Sequence, residues 1–305
     1  MPSPHPPSVR VAVVFNPMSG RRPAEEREAA IRAAFARAGA QVSWFETDAA
    51  DAGVGAADRA VRSGPDVVVA SGGDGTVMAC ATALAGMDLP LAVLPAGTGN
   101  LVARNLGVPH DLEHGVALAL AGPRERIDVG VHDRHRFLIM AGLGFDAVML
   151  AGARPALKQR YGWVAYVLSA GRALRYPQDW FTISLDGAPS LRRRASCVLV
   201  ANLGRVQGDV HVVPGARADD GLLDVAVIRA RTLGDWAQVA SRLLFGGRWG
   251  QVRVENFRAR RVDVRGTIPH PVEHDGDVGP ALDRLTVEVA PAALLMCLPS
   301  RDPGP

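Results

Sequence analysis

The chain has 305 residues, 48% hydrophobic, 5% aromatic and 21% charged, proportions that exclude disorder, collagen and coiled coil as overall descriptions. At roughly 100–200 residues per domain, this length reads as two domains, each able to bury its own core. The net charge of +3, from 34 Lys+Arg against 31 Asp+Glu, is too balanced to signal nucleic acid as a partner.

In chain order, residues 1–8 are Pro-rich and read as a disordered tail. Val9–Phe15 reads as the first strand, its apolar run too short for a signal-peptide core. Pro23 opens a helix of Ala, Glu and Arg, which Gly39 closes in the left-handed conformation. Val42–Glu46, Val67–Ala70 and Leu91–Leu94 are the next strands, short and apolar enough to be buried on both faces, each followed by a helical stretch. Residues 9–127 are thus expected to form an α/β domain on a parallel sheet.

Over residues 128–292 the rhythm changes to hairpin-like strands: Arg136–Met140, Trp180–Leu185, Ala195–Ala201, Leu222–Arg229, Arg258–Val264 and Leu285–Val289. With a tight-turn signal at Asp186-Gly187, this half is expected to be an antiparallel sandwich or barrel. Leu157–Leu174 and Leu233–Phe245 read as helices, and residues 293–305 as a separate C-terminal segment.

Three strand-to-helix turns in the first domain combine glycine with a small hydroxyl residue: Asn16-Pro17-Met18-Ser19-Gly20, Gly72-Gly73-Asp74-Gly75-Thr76 and Pro95-Ala96-Gly97-Thr98-Gly99-Asn100. All three should leave the carboxyl edge of one sheet, where open α/β folds bind ligands. Glycine lets a phosphate approach the backbone, and exposed amides with a helix dipole favour an anion. A merely structural turn needs neither the Asp74 carboxylate nor hydroxyls at Ser19, Thr76 and Thr98, so a nucleotide-phosphate site is the better reading. The pattern GxxxxGK[ST] is absent; Lys158, the only lysine, lies far from these turns, and the arginine excess reads as codon bias. Gly142–Ala147 fits GxGxxA but lacks a surrounding βαβ unit, so it is rejected as a dinucleotide site. Cys80, Cys197 and Cys297 are scattered and read as buried reduced thiols.

Together and in this order, the turns resemble the diacylglycerol kinase catalytic domain family, which includes bacterial lipid kinases and sphingosine and ceramide kinases. The resemblance runs from Val11 to about Pro299. Gly72–Thr76 alone is shared with NAD kinases and, more loosely, phosphofructokinases. Pro95–Asn100 followed by Ala103-Arg104-Asn105-Leu106-Gly107-Val108-Pro109 is much more specific to the lipid kinases. Asp128-Val129-Gly130, Gly142–Ala147, Pro214–Asp224 and Asp275-Gly276-Asp277 continue the pattern.

The resemblance implies a nucleotide-binding α/β domain of the NAD-kinase type, a β-rich lipid-substrate domain, an active site in the cleft between them, and a chain end that packs back on the first domain. It implies ATP phosphates on Asn16, Pro17, Met18, Ser19 and Gly20 and on Gly72, Gly73, Asp74, Gly75, Thr76, Val77 and Met78, with Thr47 and Thr98 as further nucleotide contacts. Asp275 matches the proton acceptor for the lipid hydroxyl. Mg2+ would be held by the carbonyls of Arg217 and Leu222 and the carboxylate of Asp220, hard oxygens that suit this ion. Two departures stand out: Asn100 where several bacterial members carry aspartate in a water-mediated metal network, and Asp277 where glutamate is commoner.

The leading expectation is therefore an ATP-dependent lipid kinase giving phosphatidic acid from diacylglycerol. NAD kinase is the enzyme alternative, against which Ala103–Pro109 and Asp275 argue; a catalytically silent lipid- or nucleotide-binding protein is the third reading. The longest apolar stretch, Phe137–Ala153, is broken by Asp146 and falls short of the roughly 20 residues that span a bilayer. A soluble, cytoplasmic chain in peripheral contact with its lipid substrate at the membrane surface is expected, with homo-oligomer formation left open. Leu157–Leu174, with basic residues toward both ends, reads as a helix covering the sheet, and Arg192-Arg193-Arg194 as a solvated strand edge.

Overall fold

A computed structural model describes residues 8–48, 50–144, 178–206, 210–211, 213, 215–230, 232, 235 and 254–300. The helices expected over Leu157–Leu174 and, but for Asp235, over Leu233–Phe245 lie outside the described residues, as do most of the N-terminal tail and the end of the Gly142–Ala147 run. Contacts divide the chain into two units: Met1–Ile127 with Ala292–Pro305, and Asp128–Pro291.

In the first unit, strands β1 (Arg10–Phe15), β2 (Gln41–Glu46), β3 (Val67–Gly72) and β4 (Leu91–Pro95) alternate with helices α1 (Ala24–Arg37), α2 (Val54–Arg62), α3 (Asp74–Leu84), α4 (Leu101–Asn105) and α5 (Leu112–Ala121). The strands are parallel in the order β4-β3-β1-β2. Inner strands β1, β3 and β4 are buried almost throughout, as near-continuous apolar runs require. The expectation of burial on both faces fails for β2, an edge strand with alternating half-buried and exposed positions such as Ser43 and Glu46. Helix α1 begins after Pro23, carries Glu25 and Glu26 in its first turn and Arg37 in its last, and ends before Gly39 at φ +73. The chain end returns to this unit: Met296 pairs with Leu91, Gly86 N–H donates to the Ala293 carbonyl, and Leu298 N–H to that of Pro123.

The second unit is antiparallel. Strand β5 (Arg124–His132) leads into it, followed by β6 (His135–Phe137), β7 (Met140–Leu143), β8 (Asp179–Leu185), β9 (Leu191–Ala195), β10 (Cys197–Ala201), β11 (Arg205–Val206), β12 (Val210–His211), β13 (Leu223–Ile228), β14 (Val254–Ala259), β15 (Arg261–His274) and β16 (Asp277–Cys297). One run of strands is β14-β13-β10-β7-β15. β15 serves a second ladder as well, its Val262–Arg265 pairing with β8 on one side and β16 on the other, with β9 beyond β8. The change of partner occurs at an irregularity between Arg265 and His270. Asp179 pins it, accepting from Thr267 N–H (2.7 Å), Ile268 N–H (3.2 Å), the Thr267 hydroxyl and His270 Nε2 (2.9 Å). These bonds satisfy donors freed by the broken ladder and hold the carboxyl far below its ordinary range despite burial. The core includes Phe137, Leu143, Phe181, Val198, Val225 and Val264. Cys80, Cys197 and Cys297 are buried free thiols.

Candidate active site

The carboxyl ends of the parallel strands collect the candidate nucleotide residues. Asn16 N–H donates to Ser71, Thr47 N–H to Phe15 and Ala96 N–H to Gly72, so the segments leaving β1, β2, β3 and β4 start at one level. Asn16 Nδ2 lies 3.3 Å from Thr76 Oγ1, and its Oδ1 accepts from Met18 N–H at 2.9 Å, shaping the Asn16–Gly20 turn. The second and third turns meet at glycines. A Cβ on Gly97 would lie 2.6 Å from Gly73 Cα, and one on Gly72 would lie 2.3 Å from Thr76 Oγ1, so no larger residue fits either position without displacement.

Polar side chains in these turns are largely spent on the backbone. Asp74 Oδ1 accepts from Val102 N–H at 3.1 Å at the start of α4, and burial is the main influence raising its carboxyl above the ordinary value. The carboxylate that looked superfluous for a structural turn thus holds two turns together. Asn100, left-handed at φ +48, accepts from Gly97 N–H and donates to the Gly97 carbonyl, both at 2.8 Å. An aspartate could make only the first of these bonds. Thr76 and Val77 are buried, Thr47 and Met78 are half-buried, and Thr98, Met18 and Gly75 face solvent. Gly75 is in the first turn of α3, whose leading N–H groups have no partner within the helix and form an anion-binding end.

Arg27 on α1 was not picked out from the sequence. Its Nη2 donates to the carbonyls of Asn16 and Pro17, both at 3.0 Å, and its guanidinium lies 4.8 Å from the Phe15 ring centroid. Nε and Nη1 are buried without a partner among the described residues. The signal was faint, one arginine among many on a helix of modest amphipathicity.

In the second unit, Asp275-Gly276 is the loop of the β15–β16 hairpin, with His274 paired to Asp277 and both loop residues at positive φ (+49 and +99). This is the geometry for which Asp-Gly is suited. The Asp275 carboxylate accepts from the amides of Leu138 (2.8 Å), Ile139 (2.9 Å) and Met140 (2.9 Å). Two residues earlier, Glu273 is 1% exposed; Oε1 accepts from Gly276 N–H at 2.8 Å and Oε2 is buried without a partner among the described residues. Burial, then the charges of Asp275 and Asp277, push its carboxyl up to about 7 against the opposing Gly276 bond. Glu273 also escaped the sequence reading; a glutamate amid Pro271, Val272 and His274 on a strand was its only mark. His274 stacks on His132 and His135, its Nε2 2.8 Å from His132 Nδ1. Burial and the two neighbouring imidazoles push His274 down to about 4, so its imidazole is neutral at pH 7.

The residues proposed for a metal lie before β13. Asp220 Oδ1 accepts from Leu222 N–H at 3.1 Å and its other oxygen pairs with Arg258; Arg217 pairs with Asp219. Asp224 Oδ1 pairs with Arg258 at 3.3 Å, Oδ2 is buried without a partner among the described residues, and burial raises its carboxyl, with Arg258 opposing and Asp220 adding to the rise. An orphaned carboxylate oxygen near a second carboxylate is hard-donor chemistry that fits a divalent cation.

A family model described as the diacylglycerol kinase catalytic domain matches residues 10–132, and one described as the YegS C-terminal NAD kinase beta sandwich-like domain matches residues 140–298. The diacylglycerol kinase of Bacillus subtilis is 28% identical over 88% of this chain and 90% of its own length. A Pseudomonas aeruginosa protein named "Probable lipid kinase YegS-like" is 32% identical over 95% of this chain and 94% of its own length. Among solved structures, a diacylglycerol kinase of Bacillus anthracis has a TM-score of 0.77 at 22% identity, covering 98% of this chain and 99% of that one. An NAD kinase of Archaeoglobus fulgidus in complex with ATP has a TM-score of 0.52 at 16% identity, with 94% and 92% covered, a likeness of fold.

Proposed function

The chain belongs to the diacylglycerol kinase family of lipid kinases and is a phosphotransferase, and on that premise we propose that it transfers the γ-phosphoryl group of ATP to the hydroxyl of diacylglycerol, giving phosphatidic acid. The observation that carries this reading is the convergence of the Asn16–Gly20, Gly72–Thr76 and Pro95–Asn100 turns on one sheet edge, beside the open N-terminus of α3. Phosphoryl transfer asks the protein chiefly to position its reactants and to stabilise spread-out negative charge. Backbone amides of Gly75 and Thr76 supply fixed donors at no reorganisation cost, while Arg27 braces the first turn from below.

Asp275 is the proposed acceptor of the diacylglycerol proton. The amides of Leu138, Ile139 and Met140 hold its carboxylate in one orientation, which suits it to position the hydroxyl. Mg2+ is proposed at Asp220 with the Arg217 and Leu222 carbonyls, where it would supply positive charge and local order when bound. The protein would act in the cytoplasm, in peripheral contact with the membrane that holds its lipid.

The test is a labelled-ATP assay with diacylglycerol, ceramide, sphingosine, monoacylglycerol, phosphatidylglycerol and NAD as acceptors. Phosphatidic acid is the expected product, and preferential labelling of another acceptor overturns the substrate assignment. Asp275→Asn should keep ATP binding and lose about 10²–10⁴-fold in turnover; unchanged turnover removes Asp275 from the mechanism.

A further inference from the structure

The outward face of one sheet in the second unit carries charge that the proposed reaction does not use. Trp180 lies opposite Arg194, and Thr182 lies between Arg192 and Arg265, so these side chains project to one side while Phe181, Ile183 and Val264 face the core. The same register places Arg261, Asp263, Arg284 and Glu288 on that outward side. Five arginines therefore share the face with two carboxylates. Glu288 pairs with Arg261, and Asp263 with Arg284 and, at 3.6 Å, with Arg265. Arg192 and Arg194 have no carboxylate partner among the described residues. The Arg192 guanidinium instead lies 4.8 Å from the ring centroid of Trp180, which is 43% exposed. A cavity of about 350 Å3 opens beside them, lined by Thr182, Ser184 and Ser190 with Arg261 and Arg265, and also by Asp263, whose carboxylate is neutralised by its pairs with Arg284 and Arg265.

We propose that this face docks on the anionic phospholipid headgroups of a membrane, with Trp180 at the interface and Arg192 and Arg194 on lipid phosphates. The charge is complementary, guanidinium forks match phosphate oxygens, and an indole is at home where an apolar layer meets water. The hydroxyl- and arginine-lined cavity offers a seat for one headgroup. A nucleic-acid groove would require several stacking aromatics and a stronger basic excess, whereas this face presents one tryptophan and the chain a net charge of only +3. The purpose of docking rests on the lipid-kinase reading; the binding itself does not depend on which lipid is phosphorylated.

The experiment sediments the full chain with vesicles of phosphatidylcholine alone and of phosphatidylcholine with phosphatidylglycerol, at low and physiological salt. Each basic residue near an anionic surface contributes about fivefold in partitioning, so Arg192→Ala with Arg194→Ala should lose about 30-fold on the mixed vesicles. Trp180→Ala should also weaken partitioning, and Arg192→Lys with Arg194→Lys should retain most of it. Phosphorylation of a short-chain, water-dispersed diacylglycerol without vesicles should be unaltered in all these variants, which also verifies their folding. Equal sedimentation of the double alanine variant and the parent, or binding of an RNA homopolymer in place of vesicles, overturns the docking face. If docking holds while no lipid is phosphorylated, the acceptor assignment alone falls.

Discussion

Glu273 offers the sharpest test of the electrostatics around the Asp275 hairpin. Its carboxyl has an ordinary value of 4.5, retained in the unfolded chain, and is pushed up to about 7 in the fold by burial first and by Asp275 and Asp277 after it. Below pH 4.5 both states hold the proton and the side chain costs nothing. Between 4.5 and 7 the unfolded chain has released a proton that the folded chain keeps, so this contribution to stability falls as pH rises. Above 7 the loss is complete, on the order of 3 kcal/mol at about 1.4 kcal/mol per pH unit. Glu273→Gln keeps an oxygen for Gly276 N–H, is neutral at every pH, and resembles the protonated acid in shape. The variant should match the parent near pH 4.5 and gain on it with rising pH, approaching an advantage of about 3 kcal/mol at pH 9. Urea denaturation of both proteins across this range, read as a difference so that other titrating groups cancel, measures the effect. A difference that stays constant with pH refutes the reasoning.

Three further predictions concern the other candidate residues. Gly97→Ala drives a methyl group into Gly73 Cα and should destabilise the first unit by about 1–3 kcal/mol, measured by thermal denaturation; Gly75→Ala meets nothing within 4 Å beyond its own helix backbone and chain neighbours, so it should leave the fold intact and, on the proposed phosphate contact, weaken ATP binding in a titration. Added Mg2+ should raise the melting temperature of the parent and raise it less in Asp224→Asn, which removes charge from the orphaned oxygen; equal rises in both would take Asp224 out of the ion's surroundings.

The route from residues to site was partly local. A turn needing glycine between a strand and a helix declares itself in a few neighbours, which is why the sequence alone places Asn16–Gly20, Gly72–Thr76 and Pro95–Asn100 at the ends of strands. The same local rule located the Asp186-Gly187 turn, whose two residues are at φ +51 and +75. Strand length was less legible: β15 runs from Arg261 to His274 and β16 from Asp277 to Cys297, both far beyond the short apolar runs. Pairing partners sustain those strands through the polar stretches, and an apolar pattern does not register partners. The edge position of β2 was hidden for the same reason.

Fold class, the placement of the glycine turns and the family were thus legible in the order of residues, because backbone angles and strand–helix alternation depend on near neighbours. The assignments that required the folded chain are those in which a charge finds its partner. Asp74 serves Val102, 28 residues away, and Asp275 binds the amide of Leu138, 137 residues away. Glu273 differs from an ordinary surface glutamate only because strands packed around it remove water. Arg27 differs from its many sisters because it lies under a turn whose carbonyls it can reach. Burial and partner choice are properties of the whole chain in space, and they decide which ionisable groups are anchored and which retain an unspent oxygen or N–H group.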